Sequence, residues 1–237
     1  TPQPTEILLT DSQGRRVGKD PTTGISYSEI PNSFYLVEPN LANDMVDNLE
    51  VDQSIGGITT LAIINPAQGL YSVNTHGAES NHPIDFSGYD EDGNISTFDF
   101  NGPPSRFNLN FSPDPGSNID VEQIINIDIK PKSSKNIIYS TSYGILLVAI
   151  KTDTNFNAQD VDINSIILGT GQAIPIFKKK LLLDYDRDGD KDAILFFKIR
   201  DIKITPGSEE LCLTGETTDG INFKGCDKIQ VYIPKHP

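Results

Sequence analysis

The sequence predicts an all-β protein built as two consecutive β-sandwich domains, Ig-like or jelly-roll-like. Three observations lead there. The 237 residues suffice for two modest domains or one large sandwich. The chain is a succession of short runs rich in Ile, Val, Leu, Phe, Tyr and Thr, broken by Gly, Pro, Asn and Asp. No segment carries the 3.6-residue periodicity of a long amphipathic helix.

In the first half, strands are expected at 6–10, 26–30, 33–38, 57–64, 69–75, 83–89, 95–100 and 106–111. Alternation is plainest in Phe107-Asn108-Leu109-Asn110-Phe111, which places apolar residues on one face. Asp92-Gly93 marks a hairpin between the strands at 83–89 and 95–100. Asn40 to Gln53 is the least strand-like stretch and reads as a loop or one short helical turn. Ser112-Pro113-Asp114-Pro115-Gly116-Ser117 is the expected boundary, giving an acidic domain at 1–117 and a second domain at 118–237. Strands in the second half are expected at 123–130, 144–151, 163–168, 179–184, 193–204, 209–214 and 221–233. The two Pro-rich ends read as linkers.

The net charge is −14, which argues against a nucleic-acid partner. Residues 1–117 hold four basic and sixteen acidic residues, so the first half carries −12 of that charge. No apolar run reaches the ~18 residues of a membrane span. The chain opens on Thr1, and the expectation is that a leader or preceding region has been removed.

The strongest motif is Asp184-Tyr185-Asp186-Arg187-Asp188-Gly189-Asp190-Lys191-Asp192. Carboxylates stand at positions 1, 3, 5 and 9 of a loop, with glycine at position 6. A hard cation such as Ca²⁺ needs this register: alternate side chains turn inward as oxygen ligands, and the residue at position 7 offers its carbonyl. The expected ligands are the side chains of Asp184, Asp186, Asp188 and Asp192, with the carbonyl of Asp190. Position 12 is Leu195, not the Glu of an EF-hand, and the following run reads as a strand. The expected site is therefore a Ca²⁺ staple within β-structure.

Cys212 and Cys226 flank a segment containing Asp219-Gly220, a hairpin signal that folds the two cysteines toward each other. A disulfide is expected, and with it an oxidising, extracytoplasmic setting.

The second half resembles a β-sandwich module of bacterial secreted and surface proteins, cyanobacterial ones among them. The likeness is carried by Ile127-Asp128-Ile129-Lys130-Pro131, Asn136-Ile137-Ile138, Gly144 to Ile150, the Asp184–Asp192 loop, Cys212 to Thr217, and Gly225-Cys226-Asp227. It departs in having Lys132 where glycine is common. The first half is similar to a companion region of such proteins through Leu9 to Gly18, Asp20 to Gly24, Glu29-Ile30-Pro31 and Asn65 to Val73. The resemblance implies fold and location, secreted or at the cell surface, more than a single activity.

Other chemistry is sparse. His76, Glu79 and His82 make a possible transition-metal cluster, although the spacing reads better as a polar loop. Asp90, Asp92 and Asn94 offer a second cation loop that the Asp92-Gly93 turn already explains. Lys178-Lys179-Lys180 reads as a solvated strand edge that resists aggregation. No nucleophile elbow, P-loop or dinucleotide fingerprint is present. The expected function is non-enzymatic: a calcium-stabilised extracellular structural or adhesive protein, with assembly as a filament or layer subunit one form it could take. Its expected partners are other copies of itself, surface components or glycans. The alternatives are a calcium-dependent glycan-binding module, and a hydrolase or inhibitor with a non-local site.

Overall fold

The computed structural model describes residues 5–38, 58–77, 82–103 and 105–232. The protein is all-β, about 51% strand and 3% helix. It comprises two compact units, Thr1–Val121 and Glu122–Pro237. The stretch 40–53, expected as loop or helical turn, lies outside the described residues.

The first unit contains β1 (Glu6–Thr10), β2 (Arg16–Lys19), β3 (Ser26–Ser28), β4 (Ser33–Glu38), β5 (Ile58–Ile63), β6 (Gly69–His76), β7 (His82–Tyr89), β8 (Ile95–Gly102) and β9 (Arg106–Phe111). An antiparallel sheet runs in the order β9-β6-β1-β2-β3, while β4-β5 and β7-β8 form ribbons. Its core holds Leu9, Val17, Tyr71, Val73 and Phe107. Phe86 and Phe100 of the β7-β8 ribbon meet Phe107 edge-on at 5.2 and 5.0 Å, so alternation turns the other face of that ribbon outward. β2 was not expected, because Gly18 interrupts its apolar pattern. The glycine is required there: φ is +105°, and a Cβ would lie 2.0 Å from the Ile7 carbonyl oxygen.

β10 (Asp120–Ile124) carries the chain into the second unit, which continues with β11 (Ile127–Ile129), β12 (Ile137–Tyr139), β13 (Ile145–Ile150), β14 (Ile167–Leu168), β15 (Leu181–Leu183), β16 (Asp192–Lys198), α1 (Ile199–Ile202), β17 (Glu210–Glu216), β18 (Asn222–Lys228) and β19 (Gln230–Tyr232). One sheet holds β14-β17-β18-β10, a second β11-β13-β16-β15, and β12 pairs with β19. Both larger sheets turn alternate side chains into one core. Leu146, Val148, Ala193, Leu195 and Phe197 come from one side, and Leu168, Leu211, Leu213 and Phe223 from the other. Burying each large side chain among them contributes about 1.5–3 kcal/mol.

Several expected strands are shorter than read: 26–30, 163–168 and 179–184 shrink to β3, β14 and β15, and three more are cut by changes of direction. The stretch 123–130 divides at Ile125-Asn126, because β10 and β11 belong to different sheets. Likewise 221–233 divides at Ile229, between β18 and β19. The strand expected at 193–204 ends at Lys198. The chain then makes one helical turn, buries Ile202 in the core and leaves through Lys203 in a left-handed conformation, φ 53°.

Candidate metal centre

The Asp-rich loop joins β15 to β16, and register fixes its ends, since Leu183 pairs with Asp192. Within the loop, Arg187 (φ 69°) and Gly189 (φ 106°) both take positive φ. That conformation favours glycine and reverses the chain tightly enough to gather alternate side chains. Carboxylate oxygens of Asp184, Asp186 and Asp188 lie within 4.8 Å of one another, all three residues exposed. Asp188 accepts the N–H of Asp190 at 3.0 Å.

Asp190 and Asp192 are not part of that trio. Asp192 is fully buried. Its two oxygens accept the N–H groups of Thr152 and Tyr185, each at 3.0 Å. It therefore ties the loop's start and the end of β13 to the base of β16. Thr152 adds to this by donating its hydroxyl to the Lys191 carbonyl at 2.7 Å and accepting the N–H of Ala158 at 3.0 Å.

Among the described residues, one cation makes an ion pair with the trio. Lys151 Nζ is 3.2 Å from Asp186 Oδ2. Desolvation works against the Asp186 anion, but the Lys151 hydrogen bond and charge, with help from Asp188, hold its carboxyl below the ordinary range. Lys151 is itself desolvated, yet Asp186, Asp128 and Asp192 hold its pKa above the ordinary value. Three oxygen donors around one offset charge suit a hard cation by donor chemistry.

Beside the loop, Asp128 carries a raised pKa, from desolvation first and then from Asp227, with Asp186 adding to it. Asp227 is a hub: its Oδ2 accepts the N–H of Ile129 at 2.8 Å and Asn136 Nδ2 at 2.9 Å. Asn136 is buried, φ 45°, and also donates to the Lys228 carbonyl at 2.9 Å. The 129–136 stretch and the end of β18, far apart in sequence, thus meet at one carboxylate. Sequence reasoning did not find Lys151, Thr152 or this hub as partners of the loop, because only the pairing of β13 with β16 and the switch between sheets bring them there. The hydroxyl of Tyr185 is buried without a hydrogen-bond partner among the described residues.

Cys212 and Cys226 are directly opposed across β17 and β18 and are joined in a disulfide. Their neighbours Leu211, Leu213, Phe223 and Gly225 are buried, so the bridge lies on the outward side of the hairpin. Glu210 lies beside it, but bonded sulfurs offer no thiolate to a metal.

The remaining candidates are held differently. Asp90 accepts N–H donors from Asp92, Asn94 and Gly116 and the Asn94 side chain, all at 2.8–3.0 Å. Those bonds, the Asn94 side chain first, hold its carboxyl below the ordinary range. The loop is built as a turn whose lead carboxylate is occupied by N–H groups. His76 ends β6 and is exposed, His82 opens β7, and Glu79 lies outside the described residues. Lys180 is no free edge charge: its ammonium donates to the carbonyls of Gln159 and Val161, and desolvation lowers its pKa. Lys178 and Lys179 remain exposed.

The surface of the described residues carries grooves, two of which lie near these elements. One, of about 560 Å³, is lined by Ile176, Phe177, Leu181, Phe196 and the three lysines. The other, of about 320 Å³, lies between β12 and β13. Its Lys130 ammonium donates to the Ile137 carbonyl and its Ser142 hydroxyl accepts the Gly144 N–H. No described helix is long and apolar enough to cross a membrane. Compared with known proteins, the chain matches no family model and no curated protein.

Proposed function

We propose that this chain is a non-enzymatic, calcium-stapled β-scaffold of the cell exterior, serving display, adhesion or assembly. The observation that carries the reading is the convergence of Asp184, Asp186 and Asp188 oxygens within 4.8 Å, on a loop anchored by the buried Asp192. Without a cation, the three carboxylates repel one another and Lys151 offsets only part of that charge. Ca²⁺ bound there would, together with Lys151, balance the three carboxylate charges and lock β15 to β16. The disulfide supports an oxidising setting, since such bonds persist mainly outside the cytosol. Its place on the outward side of the β17-β18 hairpin stiffens the opposite sheet of the same unit.

The direct test is calorimetric titration of the metal-free protein with Ca²⁺ and, separately, Mg²⁺. One Ca²⁺ per chain should bind, with Mg²⁺ weaker, because Mg²⁺ demands a stricter octahedron and dehydrates reluctantly. An Asp186→Asn/Asp188→Asn variant should bind neither. Absence of heat with Ca²⁺ at any concentration up to the millimolar range would remove the staple from the account.

A second reading, a glycan-binding module, is favoured by one observation. Tyr139 and Tyr232 are paired across β12 and β19 with ring centroids 5.1 Å apart, and both are exposed. Exposed aromatic faces suit the apolar faces of sugar rings.

A further inference from the structure

The second unit leaves an apolar strip on the outward side of the β11-β13-β16-β15 sheet. Leu147 lies opposite Phe196, Phe177 packs edge-on against Phe196 at 5.6 Å, and Phe177 and Leu181 remain 56% and 46% exposed. Lys178 and Lys179 border this groove. Neither makes an ion pair among the described residues. In a chain of net charge −14, this is a cationic rim around an apolar floor.

The first unit presents the opposite character. On the outward face of the β7-β8 ribbon, Asp85 stands directly across from Asp99 and Tyr89 across from Ile95. All four are exposed, Tyr89 at 64% and Ile95 at 55%. Like charges directly opposed across a ribbon destabilise it, and neither aspartate makes an ion pair among the described residues. A cationic partner would relieve that repulsion while its apolar floor covers Tyr89 and Ile95.

We infer that the outward face of the β7-β8 ribbon of one copy docks on the Phe177–Leu181–Phe196 groove of a second copy, with Lys178 and Lys179 set against Asp85 and Asp99. The occupant is a second copy of this chain because the chain itself carries both complementary faces. The two faces differ, so the contact is heterologous and each added copy leaves a fresh ribbon and a fresh groove. Such contacts propagate into open chains or close into rings. The inference rests on the assembly reading above and names the surfaces that would carry it.

The test is sedimentation of the full disulfide-bonded protein with Ca²⁺ over a concentration series, at low and high salt. Wild type should self-associate, more weakly in high salt. Lys178→Glu/Lys179→Glu alone and Asp85→Lys/Asp99→Lys alone should each weaken association by about tenfold or more. An equimolar mixture of the two variants should associate again, since each reversed face then meets its complement. Near-ultraviolet circular dichroism checks that both variants keep native packing, and restoration on mixing requires folded partners. A wild-type protein that stays monomeric at all concentrations overturns the inference, even if Ca²⁺ binds and stabilises the second unit. Association that survives Asp85→Lys/Asp99→Lys but fails in Lys178→Glu/Lys179→Glu points to a groove-to-groove dimer and overturns it too.

Discussion

Asp192, fully buried at the base of β16, accepts the backbone N–H of Thr152 at 3.0 Å from the end of β13. Its second oxygen holds Tyr185 N–H. The residue that completes the Asp-rich motif is thus a strut for the loop, whether or not an ion is bound. In Asp192→Asn, an amide NH₂ would face one of those N–H groups. A buried donor left without an acceptor costs about 1–3 kcal/mol. Denaturant unfolding of the chelated protein should show a lower midpoint by that amount with an unchanged slope. An unchanged midpoint would show that the strut is dispensable.

Acid should destabilise the metal-free protein through carboxylates whose native pKa is lowered. Asp186 is held down by Lys151 against its own desolvation, and Asp90 by the Asn94 side chain and then the Gly116 N–H. For such groups the unfolded chain takes up protons first. The stabilisation is present above the unfolded value of about 3.9 and is lost as pH falls through the lower native values. Thermal unfolding in chelator should show a flat region above pH ~5 and a decline below it, and Lys151→Met should make that decline shallower.

Asp128 runs the other way. Burial first, then Asp227, raises its pKa. The native state therefore disfavours its anion, and the penalty is present above the raised native pKa. It disappears as pH falls through that value toward the unfolded one. Asp128→Asn should accordingly stabilise the chelated protein at neutral pH, with the gain shrinking under acid. A destabilised variant at neutral pH would mean that Asp128 ionised is an asset, not a cost.

Reduction of Cys212–Cys226, separated by 14 positions, should lower stability by about 3 kcal/mol in the chain-entropy model. Native mass measurement should find no free thiol, and reduction should add the mass of two hydrogen atoms.

Local signals made much of this fold legible. Expected strands 6–10, 33–38 and 106–111 coincide with β1, β4 and β9: the first two are short apolar runs bounded by polar residues, and the third alternates. Asp219-Gly220 turns the β17-β18 hairpin, and its register sets Cys212 against Cys226. What escaped was non-local. β12 is three residues long and pairs in parallel with β19, some ninety positions on. The switches at Ile125-Asn126 and at Ile229 leave no mark on an apolar run. The Asp loop was readable as a motif through its spacing. Its supports, Lys151 and Thr152, come from another strand, and the hub that joins Asn136, Asp227 and Ile129 spans 98 positions.

If Ca²⁺ completes the Asp184–Asp188 trio, it should stabilise the unit that carries the loop. The most direct measurement is the thermal midpoint of the second unit's unfolding in excess Ca²⁺ and in EDTA, for wild type and for Asp186→Asn/Asp188→Asn. Binding only the folded state at a hundred times Kd stabilises by about 2.7 kcal/mol, so wild type should melt several degrees higher with Ca²⁺, while the variant should not respond. Identical wild-type melting curves in Ca²⁺ and EDTA would contradict the account.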